Sequence, residues 1–290
     1  MMGERYYSFA GVEIALQIPD RRMYQQEGRL GEFRVGTVKD PHRFSFQIVE
    51  HLDPPMGNLA VKQPAFLVYQ QKDRWIRYIG QIDKGWENAY IRAEYQGKRH
   101  SVALKHSKFP DRIDTNTVLK AMMAEHLIAR NNGFIFHCSY IDRDGKAILF
   151  TAPSGTGKST QAELWKNYRG TEIINGDRAA VRLADGKLMA EGIPFAGSSV
   201  YCINRSLPIE AIVCLDQAPV STIRKMRGYE AFSRIWEGVS VNIWDREDME
   251  RVSEVVQRAA AELPVFHLPC TPDESAVLIL EEALQKQVNV

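Results

Sequence analysis

Thr151-Ala152-Pro153-Ser154-Gly155-Thr156-Gly157-Lys158-Ser159-Thr160 follows an apolar run, Ala147-Ile148-Leu149-Phe150, and continues as a helical pattern through Gln161, Ala162, Leu164 and Trp165. Strand, glycine-rich turn and helix start in that order are the context of a phosphate-binding loop. The helix N-terminus leaves backbone N–H groups unpaired and carries the positive end of the macrodipole. Gly155 and Gly157 allow a tight turn that aims N–H groups inward. Lys158 brings a cation to the β- and γ-phosphates, and the Ser159 hydroxyl is a ligand for Mg²⁺. The nucleotide-contacting set is therefore Ser154, Gly155, Thr156, Gly157, Lys158, Ser159 and Thr160. The first motif position is Ala152, where glycine is usual; it suffices if that residue only closes the strand-to-loop turn. A chance Gly-x-Gly-Lys-Ser in a surface loop would not carry these flanks.

The 290 residues are enough for one large domain or two ordinary ones, and 44% hydrophobic with 25% charged residues is a globular composition. A formal net charge of +1 gives no reason to expect nucleic acid. The charge is unevenly split. Residues 1–113 hold 18 Lys/Arg against 13 Asp/Glu (+5), leaving 19 against 23 (−4), which hints at an acidic partner for the N-terminal part. Cys138, Cys202, Cys214 and Cys270 lie far apart beside apolar stretches. Buried free thiols and a reducing cytoplasm are the expectation. No apolar run approaches the length of a membrane span, and the start Met1-Met2-Gly3-Glu4-Arg5-Tyr6 has no continuous apolar segment, so no membrane partner is expected.

Up to about Lys108 the pattern is strand-like, with runs at 43–52, 65–70, 74–82, 87–95 and 98–105 separated by Gly, Pro and Asp-Lys turns. Ala89, Ile91, Ala93 and Tyr95 alternate with Arg92 and Glu94, which predicts an antiparallel sheet with one wet face. Asp111 to Asp114 then leads into a helix carrying Val118, Leu119, Met122, Met123 and Leu127 on one face and stopping at Asn131-Asn132-Gly133. Strands at 134–141, 147–150, 172–175, 179–183 and 210–215 follow, with helices after the loop and at 230–236, 246–263 and 273–284. This alternation predicts an α/β nucleotide-binding domain. Asp142-Arg143-Asp144-Gly145 is turn chemistry, so the two strands before the loop form an antiparallel hairpin.

Two carboxylates end apolar strands and are candidates for holding Mg²⁺: Asp177 after Ile173-Ile174-Asn175-Gly176, and Asp216 after Ile212-Val213-Cys214-Leu215. Spacing alone does not choose between them. His137, in Phe134-Ile135-Phe136-His137-Cys138, reads either as a core histidine or, because the hairpin runs beside the loop strand, as a ring near the γ-phosphate. Arg205 ends the long stretch Gly192 to Arg205 and is either a surface arginine or a donor of paired hydrogen bonds to a phosphoryl group. Lys98, Arg99, His100, Lys105, His106, Lys108 and Arg112 form a basic segment, a solvated strand face or a dock for an acidic peptide.

His137, then Asp142 and Gly145, then the apolar strand with Ser154-Gly155-Thr156-Gly157-Lys158-Ser159, then a strand ending in Gly176-Asp177, resembles the catalytic domain of the bacterial HPr kinase/phosphorylase family. More widely it is similar to phosphoenolpyruvate carboxykinase-like P-loop proteins. The resemblance runs from His126 to Leu284, and Leu268 to Val277 resembles the family's close. It implies an α/β fold: a P-loop domain of the HPr kinase / phosphoenolpyruvate carboxykinase type, here with an N-terminal antiparallel β domain. The branch in which kinases of peptide-modification clusters phosphorylate a serine of a precursor peptide fits the divergent N-terminal half better. Carried across, Lys158 holds the phosphates, Ser159 and Asp177 hold Mg²⁺, His137 sits at the catalytic centre, and Gly192 to Arg205 resembles the substrate-facing loop. Asp177 is thereby favoured over Asp216. Two positions depart from the pattern: Gly176 stands where the family often has the first of paired aspartates, and Thr160 where an acidic residue commonly follows Gly-Lys-Ser. Gly176 leaves His137 as substitute base, or a hydroxyl that loses its proton late in a loose transition state.

The expectation is thus a β domain over residues 1–112 and a kinase domain over 113–290. The reaction expected is transfer of the ATP γ-phosphoryl group, with Mg²⁺, to a serine hydroxyl of a peptide or small protein. His137, Lys158, Asp177 and Arg205 are the catalytic set. A nucleotide-dependent peptide-binding module without transfer, and a small-molecule kinase, are the alternatives. Homo-oligomerisation is left open.

Overall fold

Strand alternation in the N-terminal part and the strand–loop–helix run in the C-terminal part build two units, Met1–Ala124 and Glu125–Val290. The structure is a computed structural model describing residues 3–19, 24, 27–110 and 112–288. Met1, Met2 and Asp111, used above for the chain start and the helix lead-in, lie outside the described residues.

The first unit contains β1 (Gly3–Phe9), β2 (Val12–Ile18), β3 (Arg34–Val35), β4 (His42–Val49), β5 (Asn58–Gln63), β6 (Phe66–Gln70), β7 (Trp75–Gly80), β8 (Ala89–Gln96), β9 (Arg99–Lys105) and the helix α1 (Thr115–Ala121). They form a nine-stranded sheet in the order β3-β1-β2-β4-β9-β8-β7-β6-β5. The expected all-antiparallel sheet is corrected here: β4 runs parallel to both its neighbours, β2 and β9. Each parallel pairing needs a long crossover, supplied by residues 19–41 before β4 and by β5 to β8 before β9. The apolar face of β8 is buried as its alternation requires, at Ala89, Ile91, Ala93 and Tyr95. The opposite face is not simply wet, because buried Arg92 donates from Nε to the Tyr78 hydroxyl at 3.0 Å and pairs with Glu94. In the basic segment Lys98 pairs with Asp40, His106 lies 3.5 Å from Glu50, and His100 is buried against Phe44.

The single helix expected after Asp114 is two. Asp114 caps α1 by accepting from Thr117 N at 2.7 Å, and α2 (Ala124–Arg130) begins after Met123, whose φ of +49° ends the helical path. Helix α1 belongs with the β unit: the Tyr95 hydroxyl donates to Ala121 O at 2.6 Å and Thr115 Oγ1 to Glu27 O at 2.7 Å.

The second unit continues with β10 (Gly133–Phe136), β11 (Cys138–Arg143), β12 (Lys146–Thr151), α3 (Lys158–Arg169), β13 (Glu172–Asn175), β14 (Ala179–Ala184), β15 (Lys187–Gly192), β16 (Ser206–Gln217), β17 (Arg224–Met226), α4 (Gly228–Trp236), β18 (Val239–Ser240), α5 (Arg246–Glu262), β19 (Val265–Cys270) and α6 (Glu274–Val288). Its sheet has the order β13-β11-β12-β16-β15-β14-β10-β18, with β19 added beside β16 and β17 beside β19. The expected hairpin is present as β11 and β12, antiparallel from Cys138↔Thr151 to Arg143↔Lys146. β16 runs parallel to β12 and β19. Because the central strands are covered on both faces, β12 reads as a continuous apolar run. Its Ala147 and Leu149 join α4 and α5 in one core, with Ala231, Ile235, Val252 and Val256. Ile148 and Phe150 join α3 and α6 in the other, with Ala162, Trp165, Ala276 and Leu280. All four cysteines are free and buried, and no helix among the described residues is long and apolar enough to cross a membrane.

Candidate functional site

β12 delivers the chain into the loop and α3 receives it. Gly155 (φ +80°) and Gly157 (φ +122°) occupy backbone conformations that side chains rarely adopt, which is why glycine stands there. A Cβ at Gly155 would meet nothing within 4 Å, so its backbone conformation and not crowding calls for glycine. Lys158, 8% exposed, folds back so that its ammonium donates to Ala152 O at 2.9 Å and Pro153 O at 3.2 Å. Burial lowers its pKa, and the charge of Asp177 opposes that shift. The buried Ser139 hydroxyl on β11 donates to Lys158 O at 2.6 Å, tying the start of α3 to the hairpin.

His137 and Asp177 come from two chain bends. The strand expected over 134–141 is interrupted at His137, where β10 ends in one part of the sheet and β11 begins in another. Residues 176–178 make the matching bend between β13 and β14. The bends are stitched together by Cys138 N donating to Asp177 O at 3.1 Å, and His137 is fastened to the loop strand by Thr151 Oγ1 donating to its carbonyl at 3.0 Å. As a result His137 Nε2 lies 3.5 Å from Asp177 Oδ1. Burial lowers the His137 pKa below 6.5, and the charges of Lys158 and Arg178 push the same way against Asp177. The shift favours the neutral imidazole.

Ser159 Oγ donates to Gly176 O at 3.2 Å, one residue from Asp177. A hydroxyl and a carboxylate beside a glycine-rich turn are a donor set that would fit Mg²⁺, which uses few protein ligands. The second candidate carboxylate is engaged elsewhere. Asp216 Oδ2 lies 2.6 Å from His267 Nε2 and accepts from Arg234 Nη2 at 3.0 Å; burial would raise its pKa, but these partners hold it below the usual carboxylate range. His126, Asp245 and Asp248 also place donor atoms within 4.8 Å of one another. There Arg130 binds Asp248 at 3.1 Å and Asp245 caps α5, so both carboxylates have structural partners.

Arg205 is not at this site, a correction to its expected role. It donates to Asp142 Oδ2 at 3.0 Å and pairs with Glu172. Asp142 faces Ala147 at the turn end of the hairpin, four residues and about 13 Å of strand from Cys138 at the loop end. The stretch from Gly192 to Arg205 does reach the site with its middle. A Cβ at Gly197 would lie 2.7 Å from the Asp177 carboxylate, and one at Gly176 only 2.2 Å from Ser199 Oγ. Close packing by Ser199 is the physical reason for glycine at 176.

Sequence reasoning missed Asn175, which is fully buried. Its Oδ1 accepts from Asp177 N at 3.0 Å and Arg178 N at 3.1 Å while its Nδ2 donates to Ile193 O at 3.1 Å. The Asn-Gly pair that opens the bend was the available signal, since Asn side chains close turns onto the backbone two residues on. Arg178, with Nε 3.2 Å from Asp177 Oδ2, was also missed.

Two cavities flank the loop. One of about 450 Å³ is lined by Gly155, Gly157, Thr160, Gln161, Gln217 and Thr271. The other, about 300 Å³, is lined by His137, Ala152, Pro153, Cys214, Arg234 and Glu237. Burial pushes the Cys214 thiol up to about 12, so it is no nucleophile there.

No family model matches the chain, and no curated protein matches it. Among solved structures the chain is similar to the HPr(Ser) kinase/phosphatase from Coxiella burnetii, with a TM-score of 0.34 and 11% identity over 53% of this chain and 98% of that one.

Proposed function

We propose that this protein transfers the γ-phosphoryl group of ATP to a hydroxyl, with serine of a peptide or small protein as the acceptor class. The observation that carries the reading is the convergence of His137 and Asp177, from two separate bends, on the loop that holds Lys158 and Ser159. Lys158 and the loop N–H groups hold the phosphates, and Ser159 and Asp177 hold Mg²⁺, which supplies charge neutralisation at the phosphates. The larger cavity suits the nucleoside and the smaller one the acceptor, which puts its hydroxyl beside His137. In the reaction the acceptor oxygen bonds to the γ-phosphorus, the bond to the bridging oxygen breaks with its electron pair leaving on ADP, and the neutral imidazole takes the hydroxyl proton. Positioning and charge do most of the work in such chemistry.

Gly176 favours a second reading, a nucleotide-dependent peptide-binding module, because no carboxylate stands at that position and Ser199 fills its space. Mass spectrometry of serine peptides and free serine after incubation with MgATP tests both. An added phosphoryl group supports the kinase; nucleotide binding without any transfer supports the module.

A further inference from the structure

Resting on the phosphoryl-transfer reading, we propose that Arg178 is a further catalytic residue, whose guanidinium contacts the oxygens of the γ-phosphoryl group in flight. Transfer spreads negative charge over those oxygens, and a positioned arginine stabilises it better than a mobile one. Among the other described cations near the loop, Lys158 already serves the phosphates held by the loop, Arg234 is held by Asp216 and Glu237, and Arg205 sits at the far end of the hairpin. Arg178 is next to the metal-binding candidate itself. Its Nε lies 3.2 Å from Asp177 Oδ2, while the other oxygen of that carboxylate faces His137 at 3.5 Å. The side chain, 40% exposed, makes no other ion pair among the described residues, so the amino groups of its planar fork remain for a ligand. Its backbone is fixed by the buried Asn175, whose Oδ1 accepts from Arg178 N, so the guanidinium starts from a rigid bend.

The alternative is that Arg178 only orients Asp177. Calorimetric titrations with MgADP alone and with MgADP plus aluminium fluoride, a mimic of the transferring phosphoryl group, separate the two for the parent, Arg178→Ala and Arg178→Lys. The expected result is MgADP affinity within about twofold of the parent and aluminium fluoride complex affinity lowered about a thousandfold, the scale of an arginine finger. Lys should restore little, since it lacks the planar fork. Unchanged affinity for the aluminium fluoride complex in both variants, with a raised Mg²⁺ requirement, would overturn the proposal and leave Arg178 as a positioning residue. A parent that binds no MgADP would instead overturn the phosphoryl-transfer reading, and this inference with it.

Discussion

His137 Nε2 stands 3.5 Å from Asp177 Oδ1 although 39 intervening residues and a helix separate the two in sequence. The contact exists because each residue occupies a bend between strands and the two bends are bonded to each other through Cys138 N and Asp177 O.

If His137 is the proton acceptor, His137→Gln lowers phosphoryl transfer by about two to four orders of magnitude while ATP affinity stays near the parent value. Burial and the nearby cations keep the pKa below 6.5. The acidic limb of kcat/KM therefore lies below that value, with the rate falling as the imidazole protonates, and the variant loses this limb. Stability has the same sign: the folded pKa is below the unfolded one, so this residue's contribution is lost as pH falls below 6.5. A variant with the parent rate and only a lower Tm would mark His137 as a core residue.

The two aspartates separate in a Mg²⁺ titration of turnover. Asp177→Asn raises the Mg²⁺ requirement steeply. Asp216→Asn leaves it near the parent value, because Asp216 is committed to His267 and Arg234. The reverse ranking would move the metal to Asp216.

Gly176→Ala places a methyl 2.2 Å from Ser199 Oγ and 2.9 Å from its Cβ. The expected cost is about 1–3 kcal/mol of stability, much of it recovered in the double variant with Ser199→Gly. Additive effects in a double-mutant cycle by urea unfolding would contradict this packing account.

Arg205→Ala leaves phosphoryl transfer unchanged and costs under about 1 kcal/mol, as expected for a half-exposed ion pair. A large loss of transfer would return Arg205 to the site.

The core of this arrangement was legible because local rules govern it. β12, the glycine turn and α3 form one uninterrupted segment, and Asp144-Gly145 specifies the hairpin, both residues having positive φ. What was not legible depends on distant partners. Asp177 and Asp216 both end apolar strands, spacing does not choose between them, and the partners that engage Asp216, His267 and Arg234, are visible only in the fold. Arg205 was misplaced because a loop's sequence carries no register. The helix break at Met123 was hidden because Met122 and Met123 are both buried and fit the helical period. β19 carries Pro269, which argues against a strand, yet β16 pairs it in parallel from Val265 to Cys270. The parallel neighbours of β4 were beyond reach for the same reason: nothing in a strand's own sequence names its partner.

The central claim is tested most directly by intact-mass measurement of serine-containing peptides and free serine incubated with MgATP and either the parent protein or Lys158→Ala. Addition of one phosphoryl group to a hydroxyl by the parent, with none from a folded Lys158→Ala, is the predicted result. No transfer to any hydroxyl by a parent that binds MgATP, or equal transfer by the two proteins, would contradict it.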